Sequence, residues 1–216
     1  MKRPFNAWYA GAPYYGPPLL LGIVLMIAGW GGWMAWAGGA VVLVGGYVLF
    51  FFRDPPRRVR ASAEEAVAPA DGKVMAVDEL EESPYYDGPC KRLVIFLSVF
   101  NVHVNRAPCA GTVDDVRYQP GLFLNALKAE SSELNESNTV WMNTPHGLVA
   151  VRQISGLIAR RIVCCAEPGD ALAQGERFGM IKFGSRTELY LPPQAVMQVS
   201  AGDNVRAGTS IVARLP

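Results

Sequence analysis

The chain has 216 residues, a formal net charge of +1, 50% hydrophobic residues and 18% charged ones. That is room for one domain with an appendage, and the near-neutral balance gives no bulk electrostatic reason to bind nucleic acid. Four cysteines with no CxxC spacing and two histidines, His103 and His146, exclude a disulfide framework and make a metal cage a poor expectation.

Charge position says more than charge total. Between Arg3 and Arg53 there is no Lys, Arg, Asp, Glu or His. Residues 1–17 carry Lys2 and Arg3, then Trp8, Tyr9, Tyr14 and Tyr15, side chains suited to a headgroup layer. Residues 19–52 are almost wholly apolar or Gly, too long for one span of about 20 residues and somewhat short for two. Gly31-Gly32 between Trp30 and Trp33 is a natural break, which predicts a tight helical hairpin in the membrane. Lys2 and Arg3 before it, and Arg53, Arg57, Arg58 and Arg60 after it, put both ends on the cytoplasmic side. Free thiols fit that reducing location. A cleavable signal peptide would need a shorter apolar region, and a buried soluble helix pair is the plainer alternative.

Pro55-Pro56 ends the apolar segment, because proline cannot continue a helix. Short β-like runs follow. Residues 67–77 read as strand, Asp71-Gly72 hairpin turn, strand. Residues 92–104 (RLVIFLSVFNVHV) read as one long buried strand, and 113–118 alternate. Phe123, Leu124 and Leu127 give residues 121–136 helical content before a polar loop. Further strand candidates are 139–142, 148–154, 159–165, 177–183 and 187–191. In residues 197–213, Gly202 and Gly208 punctuate short strands as in small barrel-sandwich folds, and residues 167–176 have the same texture. The fold class is therefore mainly β (α+β): a barrel-sandwich-like domain over residues 61–216, behind a membrane anchor and linker over 1–60.

Three residues could carry chemistry. Gly184-Ser185, between apolar and alternating runs, reads blandly as a turn or bulge. Asp71 starts an Asp-Gly turn. His103 ends a long apolar strand, where a polar side chain points into a site or into solvent. His146, in Thr-Pro-His-Gly, reads as an exposed turn residue. Together Asp71, His103 and Ser185 are the set that activates a serine hydroxyl: base to take the Oγ proton, acid to orient the base. The GxSxG elbow of α/β hydrolases is absent.

The segments Phe183-Gly184-Ser185-Arg186, Ala70-Asp71-Gly72, Asn101-Val102-His103-Val104-Asn105-Arg106 and Phe51-Phe52-Arg53-Asp54-Pro55 together resemble the short bacterial phosphatidylserine decarboxylases. Phe123-Leu124-Asn125-Ala126 and Leu157-Ile158-Ala159-Arg160-Arg161-Ile162-Val163 add to the resemblance, which runs over most of the chain. It implies a proenzyme that cuts itself between Gly184 and Ser185 and turns Ser185 into a covalent pyruvoyl group. Residues 1–184 would be the β chain and 185–216 the α chain of one heterodimer. The pyruvoyl carbonyl would take the amine of phosphatidylserine as a Schiff base, and loss of CO2 would leave phosphatidylethanolamine. His103 would be base and proton donor, Asp71 the orienting acid, and Arg106, Asn125 and Phe183 possible substrate contacts. The anchor would hold the enzyme at the bilayer where the substrate's acyl tails remain.

The longer members of that family carry Leu-Gly-Ser-Thr at the cut and a second histidine near the first, where this chain has Arg106. One histidine would then serve both reactions, or Arg106 would hold a carboxylate or phosphate. Two other classes fit parts of the chain. A membrane-tethered adaptor or carrier module explains the anchor and the Gly-punctuated strands, but not Ser185 or His103. A membrane-bound serine hydrolase would keep Ser185 in an uncut chain.

Overall fold

The computed structural model describes residues 5–128, 130–157, 161–182 and 185–216. Lys2 and Arg3 of the orientation argument, residues 158–160 of the family motif, and Phe183 and Gly184 lie outside the described residues. The chain forms two compact units, Asn6–Pro55 and Pro56–Pro216.

The first unit is a helical hairpin of α1 (Ala7–Ala28) and α2 (Trp33–Phe51), with the break at residues 29–32. Both helices are long and apolar enough to cross a membrane. At 1.5 Å per residue they extend about 33 and about 28 Å, against roughly 30 Å of hydrocarbon. The first helix begins well before the expected apolar boundary. Asn6 caps it, its side chain accepting from the N–H groups of Trp8 and Tyr9, and Pro13, Pro17 and Pro18 lie inside the helix. The aromatic segment is therefore the first turns of α1. Glycines let the helices close on one another: a Cβ on Gly22 would lie 2.8 Å from Gly38 O, and one on Gly45 would meet Leu19.

The second unit is strand-rich. In chain order it contains β1 (Glu65–Val67), β2 (Gly72–Leu80), β3 (Cys90–Leu97), β4 (Val104–Arg106) and β5 (Gly111–Gln119). After the single turn α3 (Ser131–Leu134) come β6 (Ser137–Thr144), β7 (Gly147–Ile154), β8 (Ile162–Cys164), β9 (Ala171–Leu172) and β10 (Arg177–Ile181). The last four are β11 (Ser185–Leu191), β12 (Val196–Met197), β13 (Asn204–Val205) and β14 (Ile211–Arg214). Eight strands form one curled antiparallel sheet in the order β13-β2-β3-β11-β7-β6-β5-β9. Two small sheets, β1-β14-β12 and β4-β10-β8, accompany it. Alternation sends Leu93, Ile95 and Leu97 of β3, Val149 and Val151 of β7, and Leu189 and Leu191 of β11 into one core with Ala66, Phe178 and Val212. Each fully buried Leu or Ile there contributes about 2 kcal/mol.

Three local expectations change. Asp71-Gly72 is not a hairpin turn, because β1 pairs with β14 while β2 pairs with β3 and β13. The apolar run 92–104 is not one strand. Asn101 Oδ1 accepts from the N–H and hydroxyl of Ser98, closing a turn that ends β3 and delivers the chain to β4 in another sheet. Residues 121–127 are not helical. The Asn135 amide donates to Leu124 O and Ser155 O while its Oδ1 accepts from Leu124 N–H, so loop backbone is satisfied without a helix.

Candidate active site

Pairing register gathers the chemistry-bearing segments at one edge of the large sheet. Across a single row, Leu97 pairs with Ser185, Arg186 with Ile154, Ile154 with Ser137 and Ser137 with Gln119. Lys73 pairs with Phe96, so Asp71, just before β2, lies at the same edge. The turn that leaves β3 there leads directly to His103.

One buried side chain ties these segments together. Asn105 Nδ2 donates to Thr187 Oγ1 at 3.2 Å and to Pro69 O at 3.4 Å. It lies two residues after His103, and its partners lie two residues after Ser185 and two before Asp71. Its Oδ1 accepts from Gln153 Nε2 at 2.9 Å, and Gln153 Oε1 accepts from Asn138 at 3.1 Å. Gly179 makes room: a Cβ there would collide with Val163 O and lie 3.1 Å from Gln153 Nε2. The backbone of Arg106 adds a further link, its N–H donating to Pro69 O at 2.9 Å.

His103 is fully buried. Its Nδ1 faces Asn101 O at 3.0 Å, and since a carbonyl only accepts, the proton of the neutral ring belongs on Nδ1. Nε2 then carries the basic lone pair, as a general base requires. The backbone carbonyl of His103 accepts from Ile181 N–H, which joins its turn to the strand that precedes β11. Asp71 is held at both carboxylate oxygens, by Ala207 N–H at 2.8 Å and by Arg57 Nη2 at 2.8 Å. Ser185 is fully buried, and its Oγ has no hydrogen-bond partner among the described residues. A buried hydroxyl without a structural bond is costly; Ser155 Oγ is in the same state, so it is the gathering of the Asp71 and His103 segments beside Ser185 that points to chemistry.

The three possible substrate contacts separate. Asn125 is exposed in the loop between β5 and β6, at the same sheet edge, with its Oδ1 accepting from Leu127 N–H. Arg106 turns away to the second Gly-punctuated stretch, its Nη1 donating to Gly175 O at 3.1 Å. Phe183 lies outside the described residues. His146 is on the β6–β7 turn at the opposite edge, its Nδ1 facing Pro216 O.

The reading from sequence missed the other face of β11. Arg186, Glu188 and Tyr190 alternate with Ser185, Thr187 and Leu189, and charges in alternation ordinarily mark a solvent face. Here every residue of the strand is buried. Glu188 accepts from Arg186 at 2.7 Å, from Ser132 at 2.9 Å and from Tyr190 at 2.7 Å, with Arg152 Nη1 at 3.6 Å. Arg152 also donates to Ser137 and lies over the Tyr85 ring, 3.8 Å from its centroid. Burial pushes the Glu188 carboxyl up, but Arg186, Tyr190, Arg152 and Ser132 outweigh it and hold the group below the usual value. Burial and the neighbouring Glu188 carboxylate push the Tyr190 phenol up, so it remains a donor. The only hint in the sequence is that two apolar strands flank the charges.

The arrangement offers a basic imidazole nitrogen, an anchored carboxylate and a bare serine hydroxyl at one sheet edge, on segments locked by Asn105. Among the described residues no three His, Cys, Asp or Glu side chains gather as metal ligands.

Comparison with known proteins gives a consistent result. The family model described as Phosphatidylserine decarboxylase matches residues 44–213. A phosphatidylserine decarboxylase proenzyme of Gluconacetobacter diazotrophicus is 49% identical over 184 residues, covering 83% of this chain and 82% of that one. Proteins of the same name from Magnetococcus marinus and Nitrosomonas eutropha are 45% identical over 174 residues and 44% over 202. These alignments cover 80% and 92% of this chain and the same shares of the two relatives.

Proposed function

The chain belongs to the phosphatidylserine decarboxylase family, and from that premise we propose that it is a proenzyme activated by self-cleavage between Gly184 and Ser185. The observation that carries the reading is the convergence of the Asp71, His103 and Ser185 segments on Asn105 beside a buried serine hydroxyl without a partner. Relatives named as proenzymes support it.

His103 Nε2 accepts the Ser185 Oγ proton, and Oγ attacks the carbonyl carbon of residue 184, moving that acyl group from nitrogen to oxygen. Elimination releases residues 1–184 as a carboxylate, and hydrolysis of the remaining enamine expels ammonia. Residue 185 is left with a terminal ketone carbonyl, the pyruvoyl group. Asp71 is assigned the acid's part through its charge, from a segment fixed by Asn105 and Arg106, since Asn101 O holds His103 Nδ1 and Ala207 N–H and Arg57 hold the Asp71 carboxylate. The chain 185–216 stays bound because β11 pairs along its length with β3 and β7.

A pyruvoyl group at residue 185 supplies the electron sink that decarboxylation of an α-amino acid needs. The residues present suit it, since the Ser185 hydroxyl is not consumed by a structural bond. The substrate is phosphatidylserine and the products phosphatidylethanolamine and CO2. His103 is placed to return a proton to the substrate Cα. Asn125 and Phe183 are assigned to the headgroup, while Arg106, whose guanidinium donates to Gly175 O, is left out of that set. The hairpin of residues 7–51 anchors the enzyme in the cell membrane, with residues 61–216 on the cytoplasmic side.

The test is the intact mass of the purified protein beside Ser185→Ala. Two chains in the wild type, the smaller blocked to Edman chemistry and lighter than its serine form, are expected, with the variant whole. A wild-type chain that stays whole after long incubation in membranes overturns the reading.

A further inference from the structure

Outside the hairpin, Met75, Val196 and Ile211 are exposed singly, but most of the exposed large apolar side chains gather in one place. Phe100, Tyr118, Leu122, Leu127, Leu134 and Leu157 are all exposed, Phe100 at 68% and Leu157 at 65%. Phe100 is in the turn after β3, and Tyr118 is next to the last residue of β5. Leu122, Leu127 and Leu134 lie between β5 and β6, and Leu157 follows β7. The row from Leu97 through Ser185, Ile154 and Ser137 to Gln119 shows that all these segments leave the sheet at one edge. Five strands, β3, β11, β7, β6 and β5, make that edge roughly 19 Å broad at about 4.8 Å per strand.

The two edges of the sheet differ in charge. The opposite edge carries the β2–β3 loop with Glu81, Glu82 and Asp87, all exposed, and no Lys or Arg between residues 81 and 89. At the apolar edge the exposed Glu130 and Glu133 are set against the exposed Lys128 and Arg161. An anionic lipid surface repels the first edge and not the second. Exposed apolar tips gathered at one edge in this way mark a contact surface.

We propose that this rim, around the sheet edge where Ser185 starts its strand, is a second membrane contact, inserting its apolar tips among lipid headgroups independently of the hairpin. It rests on the reading of phosphatidylserine as substrate. A lipid whose tails stay in the bilayer offers only its headgroup, so the edge bearing the site must meet the headgroup layer. A hairpin tether alone fixes distance, whereas a seated rim also fixes orientation.

The test uses full-length, processed protein in phosphatidylcholine proteoliposomes, wild type beside Phe100→Ser/Leu127→Ser/Leu157→Ser. Each is assayed on long-chain phosphatidylserine in the bilayer and on short-chain phosphatidylserine added as monomer. The expected result is a loss of about tenfold or more on the bilayer substrate, with the monomeric one changed less than about twofold. Equal effects on both substrates, or none on either, overturn the proposal. A readout free of catalysis separates its failure from failure of the substrate reading. A spin label at Leu157→Cys, with Cys164 and Cys165 replaced by Ser, is expected to be open to oxygen and shielded from an aqueous nickel chelate. The same label at Asp87→Cys is expected to be open to nickel. Equal nickel access at both positions overturns the rim, as does shielding of position 157 from both agents, the result of packing against a second copy. If the labels behave as expected and wild type releases CO2 from neither substrate, the substrate reading falls and the rim stands.

Discussion

Asn105 and Thr187 are 82 positions apart in the chain and meet at 3.2 Å in a fully buried hydrogen bond. Through it β4 and β11 share one polar knot, and the residues two positions earlier, His103 just before β4 and Ser185 at the start of β11, inherit their placement from it.

Asn105→Ala therefore removes the donor to Thr187 and Pro69 and strands the Gln153 amide. Leaving buried groups unpaired costs about 1–3 kcal/mol each. The expected outcome is a lower melting temperature in detergent and self-cleavage slowed well beyond the loss of folded protein. Time courses of the two-chain product, normalised to the folded fraction, check it.

Replacing His103 by Gln keeps a polar side chain but removes the base. Self-cleavage is expected to slow by about 10²–10⁴-fold, the usual share of a general base, with little change in melting temperature. Mass spectrometry of freshly made protein over hours to days reads the rate directly.

The buried Glu188 gives a pH signature. Its folded-state value is lowered, so its stabilisation is present above its ordinary value of 4.5 and is lost as pH falls through the folded value. Glu188→Gln leaves Arg152 and Arg186 without their carboxylate, at a cost of about 3–5 kcal/mol near neutrality. Melting temperatures of Ser185→Ala and Ser185→Ala/Glu188→Gln, measured from pH 7 to pH 3, are expected to differ most at pH 7 and to converge in acid. A constant gap would show that the carboxylate is not the source.

Asn135→Ala takes two hydrogen bonds from the loop that carries Asn125 and a third that ties it to Ser155 O. The loop is expected to become the first site of limited proteolysis, and KM for phosphatidylserine to rise more than kcat falls. Steady-state kinetics on mixed micelles separate the two.

Thiol reactivity divides by burial. Desolvation pushes Cys109 up to about 12, so at pH 8 it is a thiol and inert, and Cys90 is raised for the same reason. Cys164 and Cys165 are half-buried. Iodoacetamide is expected to modify one or both of this pair in the native protein and Cys109 only after unfolding, as peptide mapping would show.

Local pattern determined much of this protein. An uncharged stretch between Arg3 and Arg53 needs burial or lipid to cover it, and Gly31-Gly32 marks the break between its two apolar helices. Period-two alternation and Gly punctuation determined a strand-rich unit, and the joint presence of Asp71, His103 and Ser185 in their motifs pointed to the chemistry. Other features were decided only in three dimensions. Helical spacing of Phe123, Leu124 and Leu127 lost to Asn135, a side chain that satisfies loop backbone from eleven residues away. The run 92–104 broke because Ser98 and Asn101 close a turn on each other. Arg186 and Glu188 look like a solvent face, yet are buried because the Glu188 carboxylate takes its bonds from Arg186, Ser132 and Tyr190 with Arg152 beside it. Register is the common reason: a sequence states which side chains alternate, but pairing between distant strands decides which of them meet.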